Sequence, residues 1–331
     1  MLKKICWFVW GIAFGVALAG CGLATPQQPT AASQPAPLKV VVPPNPNAVP
    51  LFIMLAQTPD LPLEVIPVPG VPELVAAVRG EDADVALFFS AAGAKLYNQG
   101  KLPALRLVNV NVWRALYLVA PPDVHTLADL QGKTILASFQ GGAPDLVMRA
   151  VMRQQGYDPD RDFHLEYLPP TQVKQLMLAG KGAAALLPEP QVTALIAQAR
   201  QQGQTLRPAI DLQAGFGSDA WGDDMAPLGG VFVAQHTLDD PARKALFDAF
   251  VAAYSQASAY AMTHPDQAGA LAAQGFADYF GTRLPSQRIA EALRTKTLAL
   301  ESRPVAELRP ALDAFLAQIV GQAPDDDFYA P

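Results

Sequence analysis

Residues Thr126–Pro190 read TLADLQGKTILASFQGGAPDLVMRAVMRQQGYDPDRDFHLEYLPPTQVKQLMLAGKGAAALLPEP, and this stretch decides the fold class. A turn at Asp129–Gly132 leads into an apolar strand, Thr134–Ala137. A small-residue loop and a helix follow, then a second strand at His164–Leu168, another helix and a third strand at Ala183–Leu187. Strands alternating with helices of this length form an α/β unit, which binds ligands at the ends of its strands. Ser138, Gly141 and Gly142 leave the first strand and run into Pro144. Proline suits the first helical position because its missing N–H would have had no partner there. Bare backbone and a hydroxyl are thus offered beside a helix N-terminus, a place that favours acceptor groups.

Outward from this stretch the same alternation continues. Leu38–Val42 is a short apolar strand, PPNPN (Pro43–Asn47) a turn-rich loop, and Ala48–Gln57 an apolar helix. Strands at Leu63–Pro67 and Val85–Phe89 flank a helix at Pro72–Arg79. The second of these strands runs through Ser90 into a helix at Ala91–Gln99. This βαβαβ order predicts parallel strands with helices on both faces. Ala104–Val112 and Leu116–Ala120 are further strands, separated by Trp113 and Arg114. Past Pro190 come a helix to Gln202, a strand at Leu206–Ile210, the loop AGFGSDAWGDDMAP and a returning strand at Gly230–Gln235. From Asp240 the pattern is helical, with Phe247, Phe250, Val251, Tyr254 and Ala257 at three- and four-residue spacing.

The layout resembles the periplasmic solute-binding proteins for sulfonates, nitrate, taurine and thiamine pyrimidines. The resemblance rests on DLQGK with its following strand, the helix ending at Gly156, the helix before Gly180, the strand ending in PEP, and the segment PARKALFDAFVAAYSQASAYAMTHPDQA. It covers about Leu38–Gln274. It implies a two-lobed α/β fold of type II, each lobe a mostly parallel sheet flanked by helices. The first lobe is then discontinuous, 38–120 plus 228–331, and 121–227 form the second. It further implies capture of a small-molecule solute between the lobes by hinge closure, and delivery to an ABC permease in the inner membrane. The competing class is a periplasmic ligand sensor or an enzyme on the same scaffold. The chain is expected to work as a monomer.

Residues 1–20 read as a leader. Lys3 and Lys4 precede an apolar run from Ile5 to Ala19, too short for a transmembrane helix and of the size of a signal-peptide core. The run ends Leu18-Ala19-Gly20-Cys21, which resembles the lipobox of bacterial lipoproteins; the resemblance implies acylation of Cys21 as the mature N-terminus and attachment to a membrane. Gly22 in place of Asp fails to supply an inner-membrane retention signal. Residues 21–37 read as a tether: Ala24–Pro37, rich in Pro, Gln and Ala, lacks the apolar residues to form a core and is able to reach about 40 Å in a polyproline-like conformation.

With 331 residues, 51% hydrophobic and 16% charged, the chain has the material for one large or two ordinary cores. Its two cysteines are Cys6 in the leader and Cys21, which excludes disulfides and a cysteine nucleophile from the mature body. Loss of Lys3 and Lys4 takes the formal charge from −6 to −8, and no basic cluster exists to bind nucleic acid. Gly132-Lys133-Thr134 mimics the end of a phosphate loop, but the glycine required five residues before Gly132 is Leu127. No GxSxG, HExxH or EF-hand pattern occurs. His125, His164, His236 and His264 lack ligand spacing, so neither a metal nor a cofactor is expected. The thiamine-pyrimidine-making branch of the resembled superfamily uses a Cys-rich segment, which this chain lacks.

The candidate ligand-binding residues are Asn45, Phe88, Phe89, Ser90, Trp113, Arg114, Ser138, Gly141, Gly142, Glu189, Trp221 and Asp223. Phe88 and Phe89 either divide between cleft and core or both serve the core. Arg114 is a base for a carboxylate or sulfonate, or a surface residue. Trp113 and Trp221 stack on a flat ligand or pack. Glu189, between two prolines at a strand end, accepts from an amine or caps the following helix. Asp145, Glu189 and Asp223 give these loops an acidic balance. On that ground a flat, neutral or weakly cationic ligand with N–H donors, such as an aminopyrimidine, is favoured over a sulfonate, nitrate or taurine.

Overall fold

The computed structural model describes residues 36–330; the leader, Cys21 and the tether up to Pro35 lie outside the described residues. The chain begins β1 (Leu38–Val42), α1 (Ala48–Gln57), β2 (Leu63–Pro67), α2 (Val71–Arg79), β3 (Val85–Phe89), α3 (Ser90–Asn98) and β4 (Leu105–Arg114). It continues β5 (Leu116–Ala120), β6 (Thr134–Ala137), α4 (Ala143–Gln154), β7 (His164–Tyr167), α5 (Pro170–Leu178), β8 (Ala184–Pro188), α6 (Gln191–Gln201) and β9 (Arg207–Asp211). The last third is β10 (Gly229–Ala234), α7 (Gln235–Asp239), α8 (Pro241–Thr263), α9 (Pro265–Phe280), α10 (Ser286–Arg294), β11 (Ala299–Pro304) and α11 (Ala311–Val320).

Two sheets result, ordered β11-β4-β10-β3-β1-β2 and β7-β6-β8-β5-β9. In the first, β1 lies between β2 and β3, parallel to both, as the βαβαβ order predicts. β10 then inserts antiparallel between β3 and β4, and β11 adds antiparallel to β4. In the second, β6 is parallel to β7 and β8, while β5 runs antiparallel to β8 and β9. The sheets are mixed: each has three adjoining parallel strands, completed in the first by β10 and β11 and in the second by β5, which run the opposite way. Helices cover both, and the architecture is the two-lobed α/β fold.

Three details differ from expectation. Trp113 and Arg114 belong to β4, so only Ala115 separates β4 from β5. The segment Leu116–Ala120, expected with the first lobe, pairs in the second sheet, which moves the outward crossing to Ala115. β11 is an added strand in a region expected to be mostly helical; its Ala299 and Leu300 are buried and the rest of it is polar.

Local chemistry explains the framework. α1 (AVPLFIMLAQ) buries Ala48 through Met54 without a break. A helix apolar all round is covered on all sides, here with α8 and α9 packed against it. α8 starts on Asp240, whose side chain accepts from Ala242 N at 2.8 Å and Arg243 N at 3.3 Å, satisfying helix-end donors. In the first sheet β1 and β3 end at Val42 and Phe89, and β10 begins at Gly229, paired with Phe89 and Val112. In the second, β6 and β8 end at Ala137 and Pro188, and β5 begins at Leu116, paired with Pro188. Because Arg114–Leu116 joins these two edges directly, they face one another.

Candidate solute site at the facing sheet edges

On the first edge most polar groups serve the fold itself. The Asn45 Oδ1 accepts from Asn47 N and Asn47 Nδ2, both at 2.8 Å, and its Nδ2 donates to Leu87 O at 3.2 Å. The Ser90 hydroxyl donates to Pro227 O and Leu228 O. Phe88 is 1% exposed, with its ring centroid 4.5 Å from that of Phe232, so it is a core ring; Phe89 is buried beside it at the rim. Asn47 and Asn111 are fully buried, and Tyr254 OH bridges them, donating to Asn47 O and accepting from Asn111 Nδ2, both at 2.7 Å.

On the second edge, the loop between β6 and α4 carries Ser138, 6% exposed, whose hydroxyl has no partner. Gly141 sits at φ 70°, a left-handed backbone that side chains avoid. Its N–H donates to Asp145 Oδ2 at 2.7 Å, so the Asp145 carboxylate fills part of the helix N-terminus. The Asp145 carboxylate is balanced in turn by Arg149 Nε at 3.0 Å and by the Tyr167 hydroxyl at 2.7 Å. Burial and the hydrogen bond to Asp145 push the Tyr167 phenol up to about 12, although Arg149 pulls the other way.

Lys95 crosses between the edges. It lies on α3 of the first lobe, and its Nζ donates to Gly141 O of the second at 2.8 Å. An ammonium has three donors, and among the described residues no carboxylate pairs with this one. Lys95 is absent from the candidates read from the sequence. The available signal was its place as the one charged residue of a short helix that starts at a strand end (SAAGAKLYN).

Glu189 is 1% exposed and accepts from Thr193 N at 3.1 Å and Thr193 Oγ1 at 2.9 Å, so its carboxyl caps α6. Burial raises its pKa, against hydrogen bonds from Thr297 and Thr193 that lower it. Tyr117 OH donates to Thr297 O at 2.9 Å and brings the loop before β11 against the second sheet. Arg114 is not a free base: its guanidinium pairs with Asp211 and Asp224. Trp113 is 1% exposed, donates Nε1–H to Glu301 O at 2.7 Å and carries Arg303 over its ring. Trp221 donates to Phe216 O at 3.0 Å and meets Phe315 edge-on. Both indoles are thus packing residues, and Asp223 is exposed on the return loop. The structure brings Phe89, Ser138, Gly141, Gly142 and Glu189 to the facing edges. It withdraws Phe88, Trp113, Arg114 and Trp221 into packing or ion pairs.

The fold has known counterparts. The family model described as ABC transporter, phosphonate, periplasmic substrate-binding protein matches residues 47–280. The chain belongs to that family. As a phosphonate-type binding protein it is the periplasmic substrate-binding component of an ABC import system. Among curated protein sequences none matches it. Among solved structures, an ABC transporter protein from Parabacteroides distasonis shares 20% identity over 89% of this chain and 99% of its own, with a TM-score of 0.65. The periplasmic aliphatic sulphonate binding protein SsuA from Escherichia coli shares 18% over 87% and 91%, at 0.66. The zinc-bound ligand-binding component of an ABC-type import system from Staphylococcus aureus shares 14% over 89% and 97%, at 0.68. At these identities the likeness is one of fold.

Proposed function

We propose that this phosphonate-type binding protein is a lipid-anchored receptor that holds a small organic oxyanion, a phosphonate or sulfonate, between its lobes and passes it to a membrane permease. The leader is residues 1–20 and the tether 21–37. The lobes are 38–115 with 228–331, and 116–227, closing about the two crossings. The observation that carries the ligand class is Lys95, a cation without a carboxylate partner, held against the Gly141 carbonyl where the α4 loop also presents the unpartnered Ser138 hydroxyl.

The acidic balance that favoured an amine ligand weakens once each acid is placed. Asp145 is matched by Arg149, Glu189 is biased toward its neutral form by burial, and Asp223 faces solvent. Calorimetric titration with alkylphosphonates, alkanesulfonates, taurine, nitrate and aminopyrimidines tests this. An oxyanion should bind, and Lys95→Met should weaken it about 10- to 100-fold, the worth of one charge-assisted hydrogen bond. Aminopyrimidine binding that is indifferent to Lys95→Met would overturn the ligand class.

For the anchor, Cys21→Ala is expected to abolish incorporation of labelled palmitate and to leave the protein soluble or as precursor. Label retained in that variant would refute lipidation. More than one acyl chain is needed for stable attachment, since each buried methylene contributes about 0.8 kcal/mol and a single chain binds reversibly.

A further inference from the structure

The geometry points to Arg114 as the clasp that sets the angle between the two lobes, a role independent of which ligand is bound. The chain passes between the sheets twice, outward at Ala115 and back between Asp211 and Gly229. One guanidinium holds both passages. Arg114 ends β4 of the first sheet; its Nη2 pairs with Asp211 at the end of β9 in the second, and its Nη1 with Asp224 on the return loop. Its Nε is buried and has no partner, so these two ion pairs carry its charge, with the Tyr117 hydroxyl beside it.

Asp211 is itself fixed. Its Oδ1 accepts from Gln213 N at 2.9 Å and Gln213 Nε2 at 2.5 Å, while Gln213 Oε1 accepts from Leu116 N at 2.6 Å. Ala226 N donates to Trp113 O at 3.0 Å. The two passages therefore keep their backbone and Gln213 contacts when Arg114 is removed, but two carboxylates are left facing one another without their shared cation. Both carboxylates belong to the second lobe and Arg114 ends β4 of the first, so its removal deletes the ion pairs that draw the lobes together at this edge, and the lobes open. Lysine does not replace arginine here, because a point charge on a flexible stem cannot hold two carboxylates in a fixed fork. Salt loosens the same clasp: the Arg114 and Asp224 side chains are 21% and 57% exposed, within reach of screening ions.

The test measures distance by electron spin resonance in the full chain with Cys6 and Cys21 changed to Ser and nitroxides on Lys101→Cys and Lys181→Cys. These exposed sites lie at the ends of the lobes away from the facing edges. Without ligand, the parent should give one narrow distance that lengthens and broadens as sodium chloride is raised. Arg114→Met should give the long, broad distribution already at low salt, with Arg114→Lys between. An Arg114→Met distance equal to the parent's, whatever happens to its melting temperature, overturns the proposal. If Arg114→Met fails to melt cooperatively, Asp224→Asn on the solvent side carries the test: a longer distance supports the clasp, an unchanged one overturns it.

Discussion

Asp84→Ala is expected to cost about 3 kcal/mol of stability and to remove much of the protein's sensitivity to acid. Asp84, just before β3, is 1% exposed. Its carboxylate accepts from Lys39 N at 2.8 Å, Thr237 Oγ1 at 2.9 Å and Arg243 Nε at 2.9 Å, with Arg243 Nη2 on its second oxygen and His236 at 3.2 Å. One side chain thus ties β1, α7 and α8 to the start of β3. Alanine leaves a part-buried backbone N–H, a buried hydroxyl and a partly covered cation without their acceptor, and their desolvation is then uncompensated. The figure sits at the low end for a broken buried pair because the Arg243 side chain is 27% exposed.

The pH dependence follows from the same contacts. Burial pushes the Asp84 carboxyl up, but the hydrogen bonds from Arg243, Lys39 and Thr237 outweigh it and hold it below its ordinary 3.8. Its folded pKa is depressed, so its contribution is fully present above the unfolded value and is lost as pH falls through the folded one. Denaturant midpoints measured from pH 7 down to pH 2.5 should fall steeply below about pH 4 in the parent and less steeply in Asp84→Ala. Parallel curves would show that other carboxylates dominate acid unfolding. Glu189 acts in the opposite sense. Its raised pKa means that ionisation opposes the folded state as pH rises from the unfolded value.

Trp113→Ala should cost about 3–5 kcal/mol, the usual loss for a buried indole. The ring is enclosed by Trp221, by the Arg303 guanidinium 5.4 Å from its centroid and by the Glu301 carbonyl, so truncation leaves a cavity that β4 and β11 cannot close. Trp113→Phe keeps most of the volume and loses the hydrogen bond. It should unfold earlier in urea yet bind ligand as the parent does. A Trp113→Phe variant of parental stability with impaired binding would return this ring to the cleft.

The contrast between those two rings and Lys95 shows what was legible in the sequence. Apolar runs such as LKVVV and VALFF identify strands buried on both faces without reference to the rest of the chain. The helix starts at Pro144 and Pro241 are equally local. β11 was not legible because Ala299-Leu300 followed by four polar or proline residues has neither a period nor a length that separates it from the helices around it. Trp113 and Arg114 read as a gap between strands because their partners, Glu301, Asp211 and Asp224, lie far along the chain. The acids near the cleft were visible as residues, but their charge balance was not. The Arg149 that matches Asp145 and the burial that favours neutral Glu189 belong to the folded arrangement.

The insertion of β10 between β3 and β4 sets an order of assembly for a chain that emerges from its N-terminus. All five strands of the second sheet come from the continuous segment 116–211, so that sheet has everything it needs before the rest of the chain appears. The first sheet has not. Until Gly229–Ala234 arrives, β3 and β4 have no common neighbour, and both stand as open edges able to pair with another chain. The middle of this protein can therefore be finished first, while its beginning waits for a strand encoded more than a hundred residues later, and the interval between the two is when the growing chain is most exposed to aggregation.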